Sequence, residues 1–195
     1  MIVYLVRHGE TTGDIEDRYG GDYDDHLSNK GKEQAKELAE KLRGKGIQII
    51  FSSPRIRAKE TARIVGKTLN VKVKFLNDLR ERNNYGILTG LIKSEAKKKY
   101  PREVKKLEED ELRHNVTSSE DYDSFKQRIV NAFDLILNNR EHDTVAVISH
   151  GGPVRCIIRI VLNLGELKNL GDCAILEIKK DDKGIRLMKM INASL

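Results

Sequence analysis

Thr144-Val145-Ala146-Val147-Ile148-Ser149-His150-Gly151-Gly152-Pro153 is a short, nearly continuous apolar run that stops at a histidine and two glycines. Apolar residues at successive positions, rather than at every second one, suit a strand covered on both faces, as in a parallel sheet. Pro153 fits the first turn of a helix, where its missing N–H has no intrahelical partner to lose, and the pattern predicts that helix as far as Leu162. The chain begins the same way, with Ile2 to Val6 feeding into Arg7-His8-Gly9. Between these two strands, Ala35, Leu38, Ala39 and Leu42 follow helical spacing, Ile47 to Phe51 reads as a strand, and Ala58, Ala62, Val65 and Leu69 give a second amphipathic helix. Val71, Val73 and Phe75 alternate as a half-exposed strand, and further helices are predicted over 94–107 and 119–138. Cys173 to Ile178 and Ile185 to Ile191, joined through Asp181-Asp182-Lys183-Gly184, form a hairpin. Strands alternating with helices predict a three-layer α/β/α sandwich with a mainly parallel central sheet and a C-terminal antiparallel hairpin, in one domain over 1–195.

Composition narrows the function classes. Of 195 residues, 38% are hydrophobic, enough for a core, and 34% are charged, which implies a solvated surface rich in ion pairs. The amino-terminal apolar run reaches Arg7 too soon for a signal segment or a membrane span. Cys156 and Cys173 lie in apolar runs outside any CxxC pair, so two buried, reduced thiols and a cytoplasmic setting are expected. The net charge of +6 favours anionic partners, but with 5% aromatics, no Trp and no interleaved Tyr or Phe on a basic strand, nucleic acid is not an expected partner, and neither is a membrane. A homodimer is compatible with the sequence.

Sheets of this kind bind ligands beyond the carboxyl ends of their strands, and both His8 and His150 fall at such ends. At Arg7-His8-Gly9 a guanidinium can grip a phosphate, a neutral imidazole can attack phosphorus, and glycine lets backbone approach an anion. Ser52-Ser53-Pro54-Arg55-Ile56-Arg57-Ala58 leaves a strand and opens a helix, whose amide N–H groups favour anions. It supplies Arg57 as a second guanidinium; the plainer reading is a surface arginine paired with Glu60. His150 and Gly151 stand at a third strand-to-helix turn. Two histidines and two arginines at the exits of separate strands describe a cationic cage for a phosphoryl dianion.

With these residues in place, the chain resembles the histidine phosphatase superfamily, the phosphoglycerate mutase-like fold. The likeness runs in order along almost the whole chain: Leu5-Val6-Arg7-His8-Gly9-Glu10-Thr11, Asp25-His26-Leu27-Ser28 with Gly31 and Gln34-Ala35, Ser52-Ser53-Pro54 with Arg57-Ala58, Leu79-Arg80-Glu81-Arg82, and Ser149-His150-Gly151-Gly152. The resemblance implies that His8 is the nucleophile, that Arg7, Arg57, His150 and Gly151 hold the phosphoryl group, and that Glu81 protonates the leaving oxygen, a role that a phosphate's like charge favours. Without the resemblance, Glu81 reads as a surface carboxylate. No metal is implied, because guanidiniums and imidazole carry the charge stabilisation, and the sequence holds no metal-ligand spacing or phosphate-cradling GxxxxGK motif.

The match departs from the family at Asp14, where the family has an asparagine that donates toward the phosphate; an ionised aspartate cannot donate. Asp14 therefore either turns away, toward Arg18 for instance, or is protonated, or marks an altered phosphate site. Gly20 and Gly21, Arg82, Tyr85 and Lys93 fall where phosphoglycerate mutases hold substrate. However, one extra residue separates Glu81 from Tyr85, Gly20 replaces a hydroxyl residue, and the arginine pair expected after Lys106 is missing. The balance favours a phosphatase of small phosphorylated metabolites that needs no cofactor. The alternative is a phosphoglycerate mutase primed by 2,3-bisphosphoglycerate; a catalytically idle scaffold stands behind both. The charged stretch from Glu108 to Asp121 lacks apolar periodicity and reads as a mobile connection or a lid.

Overall fold

The computed structural model describes residues 1–109 and 116–195. Its strands are β1 (Ile2–Arg7), β2 (Ile49–Ser52), β3 (Lys72–Phe75), β4 (Thr144–Ser149), β5 (Asn169–Asp181) and β6 (Gly184–Ser194). They form one sheet in the order β3-β2-β4-β1-β5-β6. The first four positions in that order run parallel, while β5 is antiparallel to both β1 and β6. The helices are α1 (Thr12–Ile15), α2 (Asn29–Leu42), α3 (Ile56–Leu69), α4 (Lys93–Lys99), α5 (Pro101–Glu109), α6 (Tyr122–Leu137) and α7 (Gly151–Cys156), the last continuing as a π turn over Ile157–Val161. Among the described residues no helix is long and apolar enough to cross a membrane.

The uninterrupted apolar runs have the cause that their composition implied. Val3, Leu5, Val145 and Val147 pack on one face of the sheet against Phe125, Ile129, Phe133 and Ile136 of α6. Their neighbours Tyr4, Val6, Ala146 and Ile148 pack on the other face against Leu38 and Leu42 of α2 and Ala58, Ala62 and Val65 of α3. Successive side chains of one strand point to opposite faces, and here both faces are covered. A third apolar cluster (Tyr19, Leu88, Ala96, Val104 and Val116) ties the α4–α5 excursion to the loop after α1.

The predicted three-layer architecture is present, with shifts at several element boundaries. The helix expected over 94–107 is two helices, because Pro101 disfavours helical backbone at Tyr100 and then serves as the first residue of α5. The helix expected from 119 begins at Tyr122; Asp121 caps it, its Oδ2 accepting from Ser124 N at 2.9 Å. The strand expected over 47–51 begins at Ile49, although Ile47 is buried beside it. The hairpin strands extend beyond their apolar stretches because β5 is bonded along both edges, to β1 and to β6. Cys156 is buried as expected, but Cys173 is half-buried; the desolvation it does suffer pushes its thiol up to about 12.

Residues 110–115 of the charged connection lie outside the described residues. The stretch from Val116 to Asp121 is not loose: Val116 is buried, Ile87 N donates to Thr117 O at 2.9 Å, and Arg128 holds the Glu120 carboxylate with Nε and Nη2 at 2.7 and 2.8 Å.

Candidate active site

Strand register assembles the site. β1 pairs with β4 so that Arg7 lies opposite Ser149, and β2 pairs with β4 so that Ser52 lies opposite Ile148. His8, Ser53 and His150, each the next residue along, are thereby brought to one edge. The His8 and His150 rings meet edge to face with centroids 5.0 Å apart.

His8 places Nδ1 2.7 Å from Gly9 O. A carbonyl only accepts, so Nδ1 carries the proton and Nε2 keeps its lone pair. Arg57 Nε donates to His8 Nε2 and to His150 Nδ1, both at 3.1 Å. His150 therefore carries its proton on Nε2, which donates to Ser53 Oγ at 2.8 Å. Burial, with Arg57 next, lowers both imidazoles well below their ordinary range; Arg7 adds to this at His8, and the adjacent His8 adds to it at His150. Both rings are neutral at pH 7, the state in which an imidazole nitrogen is a nucleophile.

Arg57 is almost wholly committed to protein. Nη1 donates to Tyr23 O at 2.7 Å and to Asp25 Oδ1 at 2.8 Å, and Nη2 donates to Gly21 O at 2.8 Å. The pair with Asp25 is nearly sealed from solvent, at 5% and 7% side-chain exposure. Binding a phosphoryl group bidentately therefore requires Arg57 to exchange a protein carbonyl for a phosphoryl oxygen. Glu60, the plainer partner for Arg57, instead accepts from Leu27 N at 2.8 Å and meets His26 Nδ1 at 2.7 Å. Arg7 donates through Nη1 to Leu170 O at 2.7 Å and lies 3.3 Å from Asp172 Oδ1 through Nη2, while its buried Nε has no acceptor among the described residues.

Glu81 sits across the cleft from the imidazoles. Gly152 N donates to its Oε2 at 3.0 Å and Arg82 N to its Oε1 at 2.8 Å. A Cβ on Gly152 would stand 2.2 Å from Glu81 Oε1, so this glycine makes room for the carboxylate.

Two adjoining depressions form the cleft. The one over the cage, of about 250 Å³, is lined by Arg7, His8, Asp14, Gly20, Gly21, Arg57, Glu81, Tyr85, Lys93 and Gly151. The larger, of about 440 Å³, shares Arg7, Gly20, Gly21, Glu81, Tyr85 and Gly151 and adds Arg82. All the residues singled out from sequence thus line the cleft except His150, which is completely buried behind Arg57.

Several expected roles change. Asp14 does not reach Arg18: its Oδ2 accepts from Thr11 N and Thr11 Oγ1, both at 2.9 Å, in a capping box, while Arg18 pairs with Glu16. At the amino terminus of α3 one amide is already taken, because Ile56 N donates to Asp24 Oδ1 at 3.0 Å. Gly9 serves chain packing, since a Cβ there would lie 2.7 Å from Gly31 O. Lys93 spends its charge on Asp17, and Tyr85 packs on Tyr19 with ring centroids 5.1 Å apart. Sequence reasoning passed over Asp25, Tyr23 and Ser53 as parts of the site. Nothing in their local sequence announces a partner, which the fold supplies from more than thirty residues away: Arg57 in α3 for Tyr23 and Asp25, and His150 at the end of β4 for Ser53.

Comparison with known proteins agrees with this geometry. The profile of the histidine phosphatase superfamily (branch 1) matches residues 3–193. The chain belongs to that superfamily. Phosphoserine phosphatase 1 of Hydrogenobacter thermophilus is 29% identical over 160 residues, 82% of this chain and 75% of the relative. Phosphoglycerate mutase-like protein 4 of Arabidopsis thaliana is 32% identical over 158 residues, 80% and 68% of the two chains. The α-ribazole phosphatase of Shigella flexneri superposes with a TM-score of 0.85 over 98% of this chain and 96% of its own, at 20% identity, and shares the fold. As a histidine phosphatase superfamily member, the chain is an enzyme of the phosphatase or mutase kind.

Proposed function

We propose that this protein hydrolyses phosphate monoesters of small metabolites through a phosphohistidine on His8. The observation that carries this reading is the state of His8: neutral, with Nδ1–H fixed on Gly9 O and the unprotonated Nε2 turned into the cage, where it accepts from Arg57 Nε until a phosphoryl group takes that N–H. In the first step that lone pair attacks phosphorus, the ester P–O bond breaks, and the leaving oxygen takes a proton from Glu81. In the second, Glu81 as carboxylate takes a proton from water, the water oxygen bonds to phosphorus, and the P–N electron pair returns to Nε2. Arg7 and Arg57 face the charge that develops on the phosphoryl oxygens, so the chemistry needs no metal.

Two features favour water over a second metabolite as acceptor. Lys93, which the mutase resemblance assigns to substrate, is neutralised by Asp17, and the sequence lacks the arginine pair after Lys106. Mutase activity stays the second reading, because Tyr85 and Lys93 do line the cleft. Phosphorus NMR of the metal-free protein with 3-phosphoglycerate, with and without 2,3-bisphosphoglycerate, separates them. Inorganic phosphate alone is the expected product; primer-dependent 2-phosphoglycerate would make the protein a mutase.

A further inference from the structure

The larger depression is more than a vestibule. Beyond Arg7 and Glu81, which belong to the phosphoryl cage, its charged lining among the described residues is Arg82, Arg155, Arg159 and one carboxylate, Glu166. Arg155 and Arg159 face one acid, Glu166, in a concave, partly desolvated wall, where charge is screened less than on open surface. Tyr122 holds two of the three arginines: the guanidinium carbons of Arg82 and Arg159 lie 5.3 and 5.2 Å from its ring centroid.

The helix that carries Gly151 carries the other two. Arg155 stands four residues after Gly151, one turn along the same face. Arg159 comes four residues later, and eight residues of regular α-helix would carry it about 80° off that face. The π turn over Ile157–Val161, closed by Leu162 N donating to Ile157 O at 3.0 Å, adds the extra residue that rewinds it toward the cleft. Such turns are rare and concentrate at functional sites. Among the described residues, Arg155 bonds only through Nη1, to Leu167 O, so Nε and Nη2 remain for a ligand. Arg159 is held by Glu166, a half-exposed pair of the kind that costs little to exchange. Tyr122, Phe125 and Leu170 supply apolar surface between the two ends of the cleft.

We propose that this wall is a second anion subsite, built on Arg155 and Arg159, for a phosphate monoester whose leaving group carries an acidic end across a short apolar stem. This rests on the phosphatase reading for the placement of the phosphoryl group. Glu166 is the gatekeeper: it competes with the ligand's acid for Arg159.

The test is calorimetric and needs no turnover. A phosphonate bearing a terminal carboxylate on a five-carbon chain is titrated against its primary amide and against the analogue ending in a second phosphonate. The carboxylate is expected to bind about tenfold tighter than the amide, the scale of one charge-assisted contact. Arg155→Gln should remove most of that difference, while Glu166→Gln should widen it. Those opposite signs cannot both come from a damaged fold. Comparison of the two acidic chains tells a carboxylate subsite from a second phosphate subsite. Equal affinity of acid and amide for the wild-type protein, or a difference untouched by Arg155→Gln, would overturn the proposal. Failure of the phosphatase reading shows elsewhere, as absence of label on His8 or as primer-dependent 2-phosphoglycerate in the phosphorus NMR experiment.

Discussion

At the scale of single residues, the fixed tautomer of His8 makes a sharp claim about where phosphorus bonds. Brief mixing with a radiolabelled monoester and quenching in alkali should trap an acid-labile, base-stable phosphoramidate, and His8→Ala should lose both the label and turnover. Glu81 should matter in proportion to leaving-group difficulty. Glu81→Gln is expected to slow alkyl esters by about 10²-fold or more and activated aryl esters far less, since a nitrophenolate leaves without a proton; equal slowing of both would remove Glu81 as the acid. Gly152→Ala probes the same carboxylate from behind. The new Cβ meets only the tip of Glu81, so the fold should lose no more than roughly 1 kcal/mol, the centre of the range for single substitutions, while kcat for alkyl esters falls with the displaced acid. Arg7, His8 and His150 were legible in the sequence because each lies at a strand end, and Arg57 because it opens the helix that follows one. Asp25 and Ser53 were not: their importance lies in what β-strand register and loop path place beside them, on Arg57 and His150.

At the scale of elements, the structure follows the sequence wherever apolar periodicity is strong, and departs where side chains compete for backbone groups. Ile2 to Val6 and Thr144 to Ser149 could be read as buried strands because each alternate residue feeds a different core. The amino terminus of α3 looked open to a phosphate, and only the folded chain reveals Asp24 already bonded to it. The start of α2 is the better example of local chemistry acting at a distance. Ser28 Oγ accepts from Gly31 N at 2.9 Å, capping the helix, and donates to Glu10 Oε1 at 2.7 Å, tying α2 to the loop that follows His8. Ser28→Ala removes both bonds, and urea denaturation should show a loss of about 1–2 kcal/mol. Gly31→Ala should be far worse, because its Cβ would lie 2.0 Å from Glu10 O, a backbone atom that cannot step aside.

At the scale of the whole molecule, the cage imposes a stability cost that varies with pH. His8 and His150 are buried, with pKa values well below the ordinary 6.5, whereas in the unfolded chain each protonates near that value. Between the folded and unfolded pKa values the unfolded state therefore binds more protons, so stability rises with pH in that window and is lost as pH falls below about 6.5. Above 6.5 both states hold neutral rings and the effect vanishes. Each histidine contributes a slope of up to about 1.4 kcal/mol per pH unit, and the cause is shared, since Arg57 lies against both rings. Denaturation midpoints between pH 7 and pH 5 should fall steeply for the wild-type protein. His8→Asn and His150→Asn should each flatten that fall by the share of one proton, whatever they do to stability at pH 7. A slope unchanged in both variants would mean that the rings take up protons inside the fold, and with that the neutral nucleophile, on which the proposed first step depends, would lose its basis. A bound phosphoryl dianion should act in the opposite direction, because its charge favours imidazolium first at His8, which lines the cleft, and less at His150, which is buried behind Arg57. Phosphate added to the wild-type protein is therefore expected to shallow the same acid slope, and His8→Asn should lose most of that shift.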